Sequence, residues 1–213
     1  MVFTTLISAA EIAARLGTEA PLVLLDCRFD LFDTGAGERD WAAGHLPGAF
    51  YAHLDRDLSG AKTGRNGRHP VPDFDTFAAT AGRWGVAPGV QVVVYDAQGG
   101  PYAARAWWLL RWLGHDAVAV LDGGLAAWLA AGGTLATEAS VPTASPPYPA
   151  TAPFMPTIDT EALRARLGQV RLLDARAAER FRGEVEPLDP VAGHIPGATL
   201  RFFGDILGAD GRF

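Results

Sequence analysis

LLDCR at Leu24–Arg28 and GHLPGA at Gly44–Ala49 return, almost unchanged, as LLDAR at Leu172–Arg176 and GHIPGA at Gly193–Ala198. Both returns fall at an offset of about 150 residues, far too long for a solenoid repeat and the right length for a duplicated domain. The helices ahead of them correspond too: AARLG ends at Gly17 and RARLG at Gly168. The second copy begins near Thr157, so these 213 residues hold one whole copy and the start of another.

Working outward within the first copy, the elements alternate. Ser8 and Glu11 are spaced as a capping box and Gly17 stands where that helix should stop. Leu22–Asp26 is a short apolar run, the pattern of a strand covered on both faces. A short strand is expected at Ala49–Ala52 and a helix from Asp73 to Trp84, and VQVVVYD at Val90–Asp96 is the strongest strand signal in the chain. Tyr102–Leu113 reads as a helix stopped by Gly114, Ala117–Asp122 as a strand, and Leu125–Ala131 as a helix ending in Gly132–Gly133. In the second copy, strands are expected at Val170–Asp174 and Ala198–Phe202. Strands separated by helices imply an α/β fold with a parallel sheet and helices on both faces. Between the copies, Pro142, Pro146, Pro147, Pro149, Pro153 and Pro156 remove amide donors and favour extended chain, which reads as a linker. The expected domains are therefore 1–136, a linker at 137–156, and the start of a second domain at 157–213.

Composition narrows the function. Hydrophobic residues at 49% and charged residues at 20% are ordinary globular values. A net charge of −6 disfavours nucleic acid or an anionic membrane as the main partner. The single cysteine, Cys27, excludes a disulfide framework and any multi-cysteine metal site within these residues. The opening residues lack a basic stretch before an apolar one, and no run approaches the roughly 18 apolar residues of a membrane span. A cytoplasmic location is expected, with no cofactor.

The pairing of LLDCR and GHLPGA with VVVYD, AARAWWLLRWLGHDAVAVLDGGLAAW and a second copy beyond a proline-rich stretch resembles the tandem-domain rhodaneses, the thiosulfate and 3-mercaptopyruvate sulfurtransferases. The resemblance covers nearly the whole chain, from about Leu6 to Phe213. It implies a five-stranded parallel sheet flanked by helices, present twice, with the second copy incomplete here. It also implies an activity: sulfur passes from a small anionic donor, thiosulfate or 3-mercaptopyruvate, to a thiol or cyanide acceptor through a cysteine persulfide.

In the family the nucleophile follows a strand, in a tight loop at a helix N-terminus, where amides and the helix dipole favour anionic sulfur. Asp96 occupies that position in the first copy, and a carboxylate cannot carry a persulfide. The catalytic cysteine is expected in the second copy, beyond Phe213, so the chain as given is expected to be inactive. Cys27 has alanine, Ala175, as its counterpart and no adjacent histidine or lysine, which reads as a buried structural position.

Comparing the copies separates scaffold from site. Asp26/Asp174, Arg28/Arg176 and His45/His194 occur in both, including the half without a nucleophile, and are read as buried hydrogen-bonding scaffold. Arg180 and Arg182 have no basic counterpart in the first copy. The resemblance places Arg180 at the substrate-anion position, and a guanidinium fork suits a sulfonate or carboxylate. Arg182 reads equally as a solvated surface charge. Leu188 after Glu186–Pro187, where mercaptopyruvate-specific members carry a second arginine, leans toward thiosulfate. His69 matches a histidine that faces the partner domain's loop in the mercaptopyruvate branch, with Asp55 or Asp57 as its carboxylate partner; fixing a loop before Pro70 is its other reading. Trp107, Trp108 and Trp112 read as packing. Two alternatives stand beside the enzyme: a non-enzymatic module whose QGGPYAAR segment cradles an anion, and a phosphatase on the same type of fold. The phosphatase needs an arginine about six residues after its cysteine, which Cys27 lacks.

Overall fold

Successive residues of a strand face opposite sides of the sheet, so an apolar run such as Gln91–Tyr95 has to be covered twice. The computed structural model describes residues 1–141 and 145–213 and divides them into two compact units, Met1–Met155 and Pro156–Phe213. The first unit runs β1 (Leu6–Ile7), α1 (Ala9–Leu16), β2 (Leu22–Asp26), α2 (Ala36–Ala43), β3 (Phe50–Tyr51), α3 (Phe74–Arg83), β4 (Gln91–Tyr95), α4 (Pro101–Trp112), β5 (Val118–Leu121) and α5 (Gly124–Ala130). Its five strands form one parallel sheet in the order β1-β5-β4-β2-β3, with β4 in the middle.

The two coverings use alternate residues. Val23, Leu25, Val92, Val94, Val118 and Val120 pack with Phe77 and Ala81 of α3 and with Ala106, Leu109 and Leu110 of α4. Leu24, Val93, Tyr95, Ala119 and Leu121 pack on the other side with Ile12 of α1 and with Trp128 of α5. The expected capping box is present: the Ser8 side chain accepts from the Glu11 amide and the Glu11 carboxylate accepts from the Ser8 amide. Trp112 lies in the core, Trp108 stacks on it at 6.1 Å, and the Trp107 indole donates to Thr4 O and Val118 O.

At the carboxyl end of β2 the chain is held by one ion pair. Arg28 grips Asp26 through Nε and Nη2, at 3.0 and 2.6 Å, and also donates to Gly44 O at 2.7 Å. The Tyr95 hydroxyl donates to the same carboxylate at 2.8 Å and accepts from the Leu46 amide at 3.1 Å. His45 Nδ1 meets Trp41 O at 2.7 Å, and its ring stacks on that indole.

The second unit contains α6 (Thr160–Ala165), β6 (Leu173–Asp174), α7 (Ala178–Arg182), β7 (Thr199–Leu200) and a 3-10 turn at Phe203–Ile206. β6 and β7 pair in parallel. The fork returns with the same geometry: Arg176 holds Asp174 at 2.6 Å and Gly193 O at 2.7 Å, and His194 meets Phe181 O at 2.7 Å.

The segment expected as a linker, 137–156, does not behave as a free tether. Pro142 lies outside the described residues, but from Ser145 to Met155 the chain belongs to the first unit. Tyr148 is buried and its amide donates to Ala78 O, while the Phe154 amide donates to Trp112 O. A Cβ on Gly82 would collide with Pro146 O, so glycine there lets the arm lie against α3. The first unit accordingly ends at Met155 and not at residue 136. Apolar contacts of Tyr148, Ala150 and Met155 hold this segment against the core of the first unit.

All six tryptophans, from Trp41 to Trp128, lie in the first unit, so indole fluorescence reports its unfolding alone. Arg28→Ala leaves the fully buried Asp26 carboxylate without its cation and is expected to lower the fluorescence-detected unfolding free energy by about 3–5 kcal/mol. Arg28→Lys keeps the charge without the fork, and its urea midpoint should fall between the two.

Candidate functional site

The middle strand of a parallel sheet delivers its carboxyl end to the N-terminus of the next helix, where unpaired amides collect. β4 ends at Tyr95, and Asp96 follows at 1% exposure. One carboxylate oxygen of Asp96 accepts from Gln98 N at 3.0 Å and Gly100 N at 2.9 Å. The other accepts from Tyr102 N and Ala103 N, both at 3.0 Å. The turn needs Gly99 and Gly100 because both have positive φ, and Pro101 opens α4 where no amide is required. The anion cradle read from QGGPYAAR therefore exists, and the chain's own carboxylate fills it. Gly124 closes the other side: it has φ +56°, its Cβ would run into Asp96 O, and the next amide, Leu125, donates to that carbonyl at 2.9 Å.

Cys27 lies under the same end of the sheet. It is 1% exposed, its amide donates to Tyr95 O at 2.8 Å, and burial, followed by the charges of Asp26 and Asp96, pushes its thiol well above the ordinary range. A thiol that resists ionisation is no nucleophile.

Beside the Asp96 loop is a cavity of 250 Å³ lined by Leu31, Leu54, Arg68, His69, Tyr102 and Arg105, with Pro101 at its edge. His69 Nε2 lies 3.4 Å from Asp55 Oδ1, and Lys62 Nζ approaches the same oxygen at 3.0 Å. Asp55 is thus the carboxylate partner. Asp57 is turned away, accepting from the His53 amide at 2.9 Å with Arg83 at 4.0 Å. Phe29, 2% exposed, presents itself edge-on to His69, His53 and Tyr102, at 6.4, 5.3 and 5.7 Å between ring centroids. Burial, ahead of any charge, lowers the pKa of His69, so its imidazole is neutral near neutral pH. Phe29 carries no motif beyond its place after Arg28, whereas Tyr102 and Arg105 lie within the QGGPYAAR segment without being singled out there.

Arg180 and Arg182 belong to the second unit. Two residues apart on α7, they leave it in different directions. Arg180 holds Glu186 at 2.7 Å and Asp189 at 3.2 Å, using Nε and Nη2. The same guanidinium, with the Leu188 and Asp189 amides, holds the Glu186 carboxyl down at a pKa of about 2. Arg182 is exposed and pairs with Glu184 at 2.7 Å. A larger cavity in this unit, 480 Å³, is lined by Asp174, Arg176, His194 and Ile195. These match Asp26, Arg28, His45 and Leu46 of the first unit, where the Tyr95 hydroxyl bonds Asp26 and the Leu46 amide. Among the described residues no group of His, Cys, Asp and Glu is arranged to hold a metal ion, and no helix is long and apolar enough to cross a membrane.

A family model described as a rhodanese-like domain matches residues 8–131. The chain is 52% identical over 213 residues to a probable 3-mercaptopyruvate sulfurtransferase of Pseudomonas aeruginosa, covering 98% of this chain and 74% of that protein. It is 42% identical over 210 residues to a putative thiosulfate sulfurtransferase of Mycobacterium tuberculosis, again covering 98% and 74%. Among solved structures, 3-mercaptopyruvate sulfurtransferase from Leishmania major superposes with a TM-score of 0.76 at 31% identity, over 98% of this chain and 58% of that one.

Two outcomes are expected at this site. Asp96→Ala strands four amides at a buried helix start and should lower the fluorescence-detected stability of the first unit by about 2–4 kcal/mol, with Asp96→Asn less damaging. His53, His69 and His115 all have pKa values lowered first by burial. The unfolded chain then binds protons that the folded chain refuses, so stability is complete above the unfolded value and falls as pH drops below about 6.5. Asp57, raised by burial, works in the opposite sense at lower pH. Urea midpoints at pH 7.5 and 5.5 should show the loss, and His115→Gln should shrink it.

Proposed function

The chain belongs to the rhodanese-like family of sulfurtransferases, and from that premise we propose a division of work between its two units. The first unit is the half without a nucleophile and contributes the Asp55–His69 pair. The second carries the donor-binding arginine, Arg180, and the persulfide-forming cysteine, which lies beyond residue 213. The observation that carries this reading is the Asp96 carboxylate bound by four amides, where the family places its nucleophile. The inaccessible thiol of Cys27 supports it, because no other cysteine is present.

The donor is a small anion bearing its transferable sulfur beside a sulfonate or carboxylate, thiosulfate or 3-mercaptopyruvate. The cysteine thiolate bonds to that sulfur. With thiosulfate the S–S bond breaks and sulfite leaves with the electron pair. With mercaptopyruvate the C–S bond breaks, and the carbon takes a proton to become pyruvate. A thiolate or cyanide then attacks the outer persulfide sulfur and the enzyme thiolate departs unchanged, giving ping-pong kinetics. The neutral imidazole of His69, 3.4 Å from Asp55, has the form of a proton acceptor. Arg180 already spends Nε and Nη2 on Glu186 and Asp189, so a donor anion is met through the remaining edge of the guanidinium.

The 213-residue chain, mixed with either donor and cyanide, is expected to yield no thiocyanate, and mass spectrometry should find no added sulfur on Cys27. The complete gene product should do both on its later cysteine. Turnover by the 213-residue chain that Cys27→Ser abolishes would overturn the assignment. In the active protein, Arg180→Ala should raise KM for the donor by roughly 10–150-fold, the worth of a charged hydrogen bond of about 1.5–3 kcal/mol. Arg182→Ala should leave it near the wild-type value.

A further inference from the structure

Arg105 stands on α4, three residues after Tyr102 and so on the same face of the helix. Arg105 is half-buried, and no carboxylate among the described residues pairs with it. It faces carbonyls only: Nε donates to Leu58 O at 3.1 Å, and Nη2 donates to His69 O at 3.2 Å and Pro70 O at 2.9 Å. Leu58 and Pro70 bracket the loop that carries His69, and Gly60 N closes that loop on Pro70 O at 3.0 Å. The α4 end of the tie is itself fixed, since Asp96 sets the first turn of that helix.

A neutral side chain could bridge a helix to a loop without the cost of burying a cation, and burial does lower the pKa of Arg105. Two properties set arginine apart here. Its planar fork reaches three carbonyls on the two ends of one loop, which a lysine ammonium cannot do in a fixed geometry. Its charge also lies close enough to His69 to disfavour the imidazolium. The other groups acting on that ring are Asp55, which favours protonation, and Lys62 and Arg68, which oppose it; Tyr102 shares the cavity.

We propose that Arg105 is the positioning residue of His69: it clamps the 58–70 loop to α4 so that the imidazole stands in one place beside Asp55 in the cavity shared with Tyr102. The inference rests on His69 being the first unit's contribution to sulfur transfer. Arg105 touches no reacting atom and acts through the histidine.

The test joins a titration to a double-mutant cycle. In the 213-residue chain, the His69 ring protons are followed by NMR against pH in wild type, Arg105→Gln and Arg105→Lys. Removing the charge in Arg105→Gln should move the His69 titration to higher pH. Arg105→Lys should leave its midpoint near wild type while the ring loses its fixed contacts with Phe29. In the complete gene product, Arg105→Lys should lower kcat with 3-mercaptopyruvate by on the order of 10–100-fold, with little change in KM, as expected for a misplaced group. In a His69→Ala background the same Arg105→Lys change should cost nothing further. Should Arg105→Gln fail to fold, the lysine variant carries the test alone through the ring contacts and the cycle. Equal losses with and without His69, or an Arg105→Lys chain with unaltered ring contacts, would overturn the proposal. A wild-type gene product without sulfur transfer would sink the functional reading instead, leaving the NMR comparison to judge Arg105.

Discussion

A carboxylate buried at the end of the middle strand is the interaction on which the first unit turns. Asp96 accepts four amides from the loop and first turn of α4, and its own carbonyl is met by the amide after Gly124. A helix that starts at the end of a buried strand brings its unpaired N–H groups inside, where water cannot satisfy them. Acceptors have to be there, and the Asp96 carboxylate supplies them. The direction of α4 follows, and with it the places of Tyr102 and Arg105, the hold on the 58–70 loop and the position of His69. The glycine of LDGG follows as well, since any side chain at Gly124 would meet the backbone of Asp96.

The fork at the end of β2 is a second constraint, and the duplication supplies its control. Asp26–Arg28–Gly44 and Asp174–Arg176–Gly193 repeat the same hydrogen bonds, with Arg Nη2 at 2.6 Å from the carboxylate and 2.7 Å from the glycine carbonyl in each. The fork ties the strand to the GH(I/L)PGA turn in a half that has no nucleophile as well as in the half that is proposed to have one. Residues that the two copies share hold the turn; Arg180, which has no basic counterpart in the first copy, stands outside it.

Legibility in the sequence followed the strength of the local signal. β2, β4 and β5 are apolar runs, α3 opens on the Asp73 cap, and α4 is bounded by Pro101 and Gly114, so all five were readable within a residue or two. β1 was not, because two residues, Leu6 and Ile7, acquire strand character only from pairing with β5. α2 was not either: its glycines and charges have no clear period, and it depends on Gly37 packing against Arg28 O and Tyr51. The prolines of 137–156 read as a linker, and docking was not legible there, since the seat of Tyr148 beside Ala78 is a long-range fact. At the site, Asp96 was legible through the resemblance, which sets the nucleophile position just after this strand. His69 was legible only through resemblance, and the choice of Asp55 over Asp57 needed coordinates. Nothing local to Arg105 says that three carbonyls lie over it.

The identity of residue 96 follows from the same physics. Once a duplicated half gives up its nucleophile, the four amides that would have steadied an anionic sulfur remain, along with the helix that points them. An apolar replacement would leave them all unpaired, and the loss of even one buried partner costs about 1–3 kcal/mol. A carboxylate restores the charge, supplies an acceptor pair of the right reach and cannot take up sulfur. In the division of work proposed above, Asp96 lets the first half forgo sulfur chemistry with its fold intact. The electrostatic form of a catalytic loop is kept as the footing of α4, from which Arg105 holds the loop that carries His69.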